Sequence, residues 1–455
     1  MITIVLGAQW GDEGKGKLTD ILCAKASLCA RAQGGNNAGH TIVANGQTYD
    51  FHILPSGLVN PKCLNLIGTG CVVHIPSFFK ELEDLQKKGL DTKGRILLSD
   101  RAHVVFDLHL LIDSLQEGEL IEAAEKEQSS DRQVVVAKKS FGGAIGTTKK
   151  GIGPAYSAKH ARSGVRIHQI FNKEELDKRL RVLARGAQKR YGSAMKDYDV
   201  EAEIARFDTH REHLRSFVIN AVPLMASAQK NDMPILVEGA NALMLDINHG
   251  TYPFVTSSAT GTGGAIDGLA LSPFKIKDII GVVKAYTTRV GGGPFPSEAL
   301  NDDGDTLQSK GHEYGVTTGR RRRCGWLDLV VLRHSHAINH YTTLNLTKLD
   351  ILDHFDVIRV AVSYTDPLDM MNSSAPVTYK NEFPADLSVL DRCEVLYEEL
   401  QGWKGQGRVA GAKSWDDLPQ QARAYVEFIE QNVGVRVGYI GTGPSREDMI
   451  VRSDM

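Results

Sequence analysis

The sequence predicts an α/β protein built on one large, mostly parallel central sheet with helices on both faces. Two observations carry that expectation. Short apolar runs rich in β-branched residues alternate with amphipathic stretches along the whole chain. Several glycine-rich or polar motifs stand just after those runs, where open parallel sheets bind their ligands.

The elements follow in order. Ile2 to Leu6 reads as a buried strand, a glycine loop follows it, and Lys17 to about Ala26 reads as a helix. Pro76 to Lys88 has Phe79, Leu82 and Leu85 at helical spacing. Arg95 to Ser99 is expected as a strand and Glu174 to Tyr191 as a charged amphipathic helix. Further strands are expected at Ile235 to Val237, Ile279 to Ala285, Thr343 to Leu346, Val357 to Val362 and Val435 to Ile440. Trp326 to Asn339 and Leu418 to Gln431 read as helices. Glu125 to Lys139 reads as a polar surface excursion, and Gly291 to Asp305, with Pro294 and Pro296, as a mobile connection. With no internal repeat or long linker, residues 1–455 are taken as one domain with mobile active-site loops.

Composition narrows the function. Hydrophobic residues at 42% and charged residues at 24% are ordinary for a soluble chain. A net charge of -2 argues against broad nucleic-acid binding, which needs a basic excess to release counterions. Six scattered cysteines, none in a Cys-x-x-Cys pair, read as reduced and structural. Met1 to Leu6 turns at Gly7 without the longer apolar stretch of a signal peptide, and no apolar run is long enough for a membrane span. A cytoplasmic protein is the expectation.

Four constellations carry chemistry. Gly11-Asp12-Glu13-Gly14-Lys15-Gly16-Lys17 fits the Gly-x-x-x-x-Gly-Lys part of a phosphate-binding loop, which relates the fold to the phosphate-loop nucleotide-binding proteins. Leu18 stands where that loop has its magnesium-holding Ser or Thr. An acid within the loop, Asp12, is therefore read as a metal ligand or a catalytic base. Gly34-Gly35-Asn36-Asn37-Ala38-Gly39-His40-Thr41 ends a polar loop in a histidine suited to donate a hydrogen bond or proton near phosphate. Thr347-Lys348-Leu349-Asp350 follows a strand, and a carboxylate there would pair with the ring N–H and amine of guanine, a donor pair that adenine lacks. Thr317-Thr318-Gly319-Arg320-Arg321-Arg322-Arg323 lies inside a folded region, so its forks suit carboxylates and phosphates better than a basic tail would.

With Gly151-Ile152-Gly153-Pro154-Ala155-Tyr156 and His249-Gly250-Thr251-Tyr252-Pro253-Phe254-Val255-Thr256, these motifs resemble the adenylosuccinate synthetase family, in its order, from near Ile4 to near Met449. The resemblance implies GTP-dependent joining of L-aspartate to inosine monophosphate (IMP), through a 6-phosphoryl intermediate, in AMP synthesis. It implies Asp12 as base, His40 as acid and Lys15 beside them. It places IMP against Asp12, Glu13, Gly14, Lys15, Asn37, Ala38, Gly39, His40, Thr148, Asn241, Thr256 and Arg320, with Arg162 reaching in from the second subunit of a homodimer. GTP falls to Asp12 through Lys17, including Gly16, and to His40, Thr41, Arg322, Lys348, Leu349, Asp350, Gly441, Thr442 and Gly443. Aspartate falls to Val316, Thr317, Thr318, Gly319, Arg320, Arg321 and Arg322, and one Mg2+ per subunit to Asp12 and the Gly39 carbonyl. No nucleic acid or membrane partner is implied.

Three positions depart from the pattern. Asn241 stands where bacterial members carry Gln, and eukaryotic members resemble this sequence better there; Ala259 replaces a polar residue, and Gly441 replaces a Ser. The rival readings are a switch-type GTPase, separable by aspartate-dependent phosphate release, and a nucleic-acid binder using Arg320 to Arg323.

Overall fold

The computed structural model describes residues 1–44, 46–130, 145–315, 319, 321–367 and 377–452, with the side chains of 127–130 also outside the description. Its centre is an eleven-stranded sheet. Ile2–Gly7 lies in the middle, between Ile276–Lys284 and Ile235–Glu238, parallel to both. Thr343–Thr347 and then Val437–Gly441 extend one side in parallel. Leu28–Gly34, Leu64–His74, Ile96–Ser99 and Val218–Ile219 extend the other, also in parallel. His103–Val105 pairs with the far end of Leu64–His74. Among the described residues, the antiparallel neighbour in this sheet is the edge strand Met449–Val451.

The strand Ile2–Gly7 is buried on both faces. Ile2, Ile4 and Leu6 join the largest apolar cluster, while Val5 turns the other way onto Leu18, Cys23 and Leu236. Side chains that alternate between two covered faces give a continuous apolar run, as parallel sheets require. A second large cluster, with Phe51, Phe78, Phe106 and Leu176 among its members, packs around the helix Ile75–Lys87. The six cysteines are free thiols, five of them buried. Among the described residues, no helix is long and apolar enough to cross a membrane.

Most expected elements occur within a few residues of their places. The helix after the first strand spans Lys15–Cys23, two residues earlier than expected, because Gly14 adopts the left-handed conformation (φ 86) that starts it. Trp326 to Asn339 is not helical throughout. Leu327–Asp328 is a short strand, and Asp328 caps the helix Leu329–Asn339 by accepting from the N–H groups of Val330 and Val331. Val357–Asp366 is longer than expected and lies outside the central sheet. It pairs in parallel with Leu327–Asp328 and antiparallel with Val377–Tyr379 and Glu394–Gln401. Val437–Gly441 is not the last strand, since Met449–Val451 follows. Glu125 to Lys139 begins as the end of the helix Asp107–Ser130, and its remainder lies outside the described residues.

Candidate active site

The loop after Ile2–Gly7 emerges where the sheet is wound in both directions. Gly11 (φ 94), Asp12 (φ 58) and Gly14 (φ 86) are all left-handed, which curls the main chain ahead of the helix N-terminus. Such a turn aims successive N–H groups at one place and suits an anion. Glu13 does not point out of this loop. Its buried carboxylate accepts from the N–H groups of Gln9 at 3.2 Å and Gly11 at 2.8 Å, and from Lys15 Nζ at 3.1 Å. Glu13 thus braces the turn from within, and what remains for a ligand is its main chain. Thr347, the last residue of its strand, donates its hydroxyl to Glu13 O at 2.6 Å and ties the loop to the strand that precedes Lys348.

Asp12 is the acid left facing outward, and Arg322 holds it: Nε donates to Oδ2 at 2.6 Å. The sequence separation is 310 residues, so the arginine segment and the phosphate loop form one site. Arg321 instead pairs with Asp305 at 3.1 Å and Arg323 with Glu298. Three adjacent arginines therefore have three different partners. Gly319 is left-handed (φ 64), and a side chain there would meet open space; Val316, Thr317, Thr318 and Arg320 lie outside the described residues. Gly291 to Asp305 runs beside this segment. It is tied down by Arg289, which donates to the carbonyls of Gly292 and Pro294, and by Arg323, which donates to that of Gly293.

His40 stands at the head of a hairpin, His40–Ala44 with Gln47–Phe51, and packs beside Gly16 of the loop. Its Nδ1 is hydrogen-bonded to Glu238 at the end of the strand Ile235–Glu238. Glu238 is fully buried and also accepts from Ser56 N and Ser56 Oγ, each at 2.8 Å. Burial pushes the Glu238 carboxyl up, but the adjoining His40 and the Arg31 charge bring it down to about 2. Burial lowers the His40 pKa, against the pull of Glu238. With Nδ1 committed to Glu238, Nε2 is the nitrogen left for a ligand.

A third group surrounds Gly34. Asn37 and Asn241 lie on either side of it, and Asn37 Nδ2 donates to Thr256 Oγ1 at 3.5 Å. Asn241 is left-handed (φ 60), and its Oδ1 is buried with no partner among the described residues. A buried amide oxygen without a donor is costly unless a ligand supplies one. Thr148 is half-buried, and Ala38 and Gly39 lie in the turn before His40. Arg162 is exposed just beyond the helix Ile152–His160, and its guanidinium pairs with no carboxylate among the described residues.

On the other side of the loop, Lys17 Nζ donates to Gly443 O and Asp448 O, both at 2.8 Å. Gly441 lies beside that amine, so Lys17 joins the phosphate loop to the turn Gly441-Thr442-Gly443. Lys348, also left-handed (φ 56), opens the short 3-10 turn Leu349–His354. Leu349 is buried, and Asp350 lines an open cleft of about 620 Å³ with Lys310, His354, Gly405 and Arg408. Burial raises the Asp350 pKa, opposed by Lys17 and Lys348.

Burial also lowers the Lys17 pKa from 10.5 to about 8, with Lys413 assisting and Asp448 and Asp350 opposing. A cation in a phosphate site is thus lost as pH rises through about 8. The affinity of the free protein for a nucleoside triphosphate is expected to fall across that range, and titration calorimetry at pH 7 and pH 9 checks it. Lys17→Met should bind weakly at both values and lose the dependence. The fold responds with the opposite sign: the folded state prefers the neutral amine, so the contribution of Lys17 to stability grows as pH rises from about 8 toward 10.5.

A glycine-curled loop at the centre of a parallel sheet, facing a histidine, an arginine and a buried amide, defines a nucleotide-binding α/β enzyme. The adenylosuccinate synthetase family model matches residues 4–450. The adenylosuccinate synthetase of Sordaria macrospora is 60% identical over 99% of this chain and 98% of its own, and that of Schizosaccharomyces pombe is 56% identical over 99% and 96%. The solved, fully ligated adenylosuccinate synthetase of Plasmodium falciparum superposes with a TM-score of 0.88 at 38% identity, covering 99% of both chains. A cyanophage succinoaminodeoxyadenylate synthetase, at 18% identity and a TM-score of 0.56, shares the fold. The chain belongs to the adenylosuccinate synthetase family, ligases that form a carbon–nitrogen bond.

Of the residues singled out in the sequence, Asp12 meets Arg322, Asn37 meets Thr256 and stands with Asn241 near Gly34, and His40 packs beside Gly16. Sequence reading missed Glu238, although the segment Glu238 to Asn241 was singled out for Asn241, and it missed Glu313. A buried acid at the end of a parallel strand was the available signal for Glu238.

Proposed function

We propose that this chain joins L-aspartate to IMP at the expense of GTP, giving adenylosuccinate, GDP and phosphate. The observation that supports this reading best is the convergence on Asp12: the same carboxylate sits in a phosphate-type loop and on Arg322 of the arginine segment. A GTPase that only hydrolyses uses a single arginine at the phosphates and has no dicarboxylate for a run of them to hold.

The steps follow from the groups present. Asp12 takes the N1 proton of IMP, and the purine O6 attacks the γ-phosphorus of GTP while the bond to the bridging oxygen of GDP breaks. His40, as the imidazolium with Nδ1–H on Glu238, donates Nε2–H to phosphate as negative charge shifts toward GDP. The aspartate amine then attacks C6 of the 6-phosphoryl intermediate, and phosphate leaves with the C6–O bond electrons. Most of the rate arises from positioning and charge neutralisation, because phosphoryl transfer asks little covalent chemistry of a protein. Asn37, Asn241 and Thr256 hold IMP, the orphaned Asn241 Oδ1 taking a donor from it. Lys17, Asp350 and the turn Gly441-Thr442-Gly443 hold GTP.

Asp12 and the Gly39 carbonyl fit Mg2+ as hard oxygen donors, and among the described residues there is no cluster of three or more His, Cys, Asp or Glu set to cage a metal. Magnesium suits such a sparse donor set because it takes its remaining oxygens from phosphates and water. Bound there it neutralises phosphate charge. The exposed, unpaired Arg162 suits completion of the neighbouring site in a homodimer, in the cytoplasm.

Purified protein with IMP, aspartate, GTP and magnesium is expected to form adenylosuccinate, followed by absorbance, only in the full mixture. Phosphate released equally without aspartate and without product would leave a switch-type GTPase instead.

A further inference from the structure

Glu313 lies between the helix Asp302–Lys310 and the arginine segment, nearly fully buried. Its carboxylate accepts from Lys284 Nζ at 2.8 Å, from Lys348 Nζ at 2.7 Å and from the Tyr286 hydroxyl. Burial pushes that carboxyl up, but the two lysines bring it down to about 2, so it is an anion between two cations. Lys348 has one further partner, Gly311 O at 2.7 Å. Among the described residues, its ammonium is thus held by the short stretch that ends in Glu313.

The main chain of the same residue is tied to the arginine segment. Glu313 O accepts from Arg322 N at 2.9 Å, and Tyr314 bridges Arg321 in antiparallel fashion. The next residue, Gly315, lies flat against the Arg322 guanidinium, where a methyl group would overlap it. Arg322 then reaches Asp12. One connected path thus runs from Lys348, beside Asp350 at the base end of the cleft, through Glu313 to Arg322 at the phosphate loop.

Packing alone does not account for this arrangement. A carboxylate that served only to neutralise the buried Lys284 could sit anywhere near it. Here it also holds a lysine of one proposed substrate site, while its own peptide closes the neck of another. Buried charge pairs are held rigidly, because removing one member strands the other in a low dielectric.

We propose that Glu313 is a positioning residue shared by two substrates: it aims Lys348 at the nucleotide base and sets Arg322 for aspartate, so that the two sites are coupled through it. The proposal rests on the ligation reading above and on the assignment of Lys348 to GTP and Arg322 to aspartate.

Three variants of the full-length chain test it: Lys284→Met, Glu313→Gln and the pair Lys284→Met/Glu313→Gln. The pair removes the buried cation together with the carboxylate charge, which keeps the test open if Glu313→Gln alone does not fold. Lys284→Met is expected to lower the midpoint of thermal unfolding while leaving the KM values for GTP, aspartate and IMP within about twofold, because Glu313 still holds Lys348. Glu313→Gln and the pair are expected to raise the KM for GTP and for aspartate by about tenfold each, with the KM for IMP within about twofold.

In the folded pair, three unchanged KM values would make Glu313 a packing residue and overturn the proposal. A rise for GTP with none for aspartate would overturn the coupling. A parallel rise for all three substrates would show a generally loosened site and overturn it too. Failure of the ligation reading looks different: the unsubstituted chain itself would give no aspartate-dependent product, and both readings would fall together.

Discussion

Asp12→Asn is expected to reduce turnover by about a thousandfold, the scale of a lost general base, while leaving the fold in place. The local backbone makes this substitution unusually clean. Asp12 is left-handed at φ 58 between Gly11 and Gly14, and Asn is the residue that shares its tolerance of that conformation. Alanine would add backbone strain and confuse the result. The amide keeps the size and one acceptor oxygen, so Arg322 still has an acceptor, but it takes no proton from N1 of the purine. It also replaces one of the two oxygen donors proposed for Mg2+ with a weaker one. The brace beneath the loop does not involve Asp12, since the N–H groups of Gln9 and Gly11 are held by Glu13. Circular dichroism and the thermal midpoint should match the parent, GDP should still bind, and single-turnover measurements should place the loss in the first chemical step. Turnover within about tenfold of the parent would remove Asp12 from the role of base.

This test could be designed from the sequence, and the reason is local. A phosphate-type loop is a continuous run whose glycines, helix and preceding strand can all be read within twenty residues. The strand Thr343–Thr347 and the residues that follow it are legible for the same reason. What the sequence hid were single acids acting across the fold. Glu238 meets His40 over 198 positions, and Glu313 meets Lys348 and Lys284 from a connecting stretch with no motif of its own. Their meaning lies in burial and in the partner, and neither is a property of adjacent residues. The strand at Leu28–Gly34 was missed because it runs straight into the glycine and asparagine motif, which drew the reading toward a loop. The parallel pairing of this strand with Ile235–Glu238 is what brings His40, Asn37 and Glu238 to one end of the sheet. Arg321 to Arg323 show the converse error of reading a run as a unit. Adjacent positions on an extended segment face different ways, and the three guanidinium groups serve three separate carboxylates.

The sharpest consequence for specificity falls on Asp350. Guanine presents two donors, N1–H and the 2-amino group, and the carboxylate proposed for it, lining the cleft, would meet both. Asp350→Asn replaces one acceptor with a donor. The amide oxygen still takes N1–H, but its NH2 now opposes the 2-amino group, and a buried donor facing a donor is an unpaired group on both sides. The kcat/KM for GTP is expected to fall by about a hundredfold, mostly through KM, because sites that hydrogen-bond a substrate group discriminate through the cost of leaving it unpaired. Xanthine carries a carbonyl where guanine carries that amine, so xanthosine triphosphate should become the better phosphoryl donor for the variant. The residues proposed for IMP are not those exchanged, so the KM for IMP should hold. Asp353, the neighbouring acid in the cleft, is already committed to Trp403 Nε1 and to the N–H groups of Val409 and Ala410, and it does not substitute for the lost acceptor. Competition between GTP and xanthosine triphosphate in one reaction, read as product from each, gives the ratio directly. An unchanged preference for GTP would take Asp350 out of base recognition and move the guanine contacts to the main chain around Gly441 to Gly443.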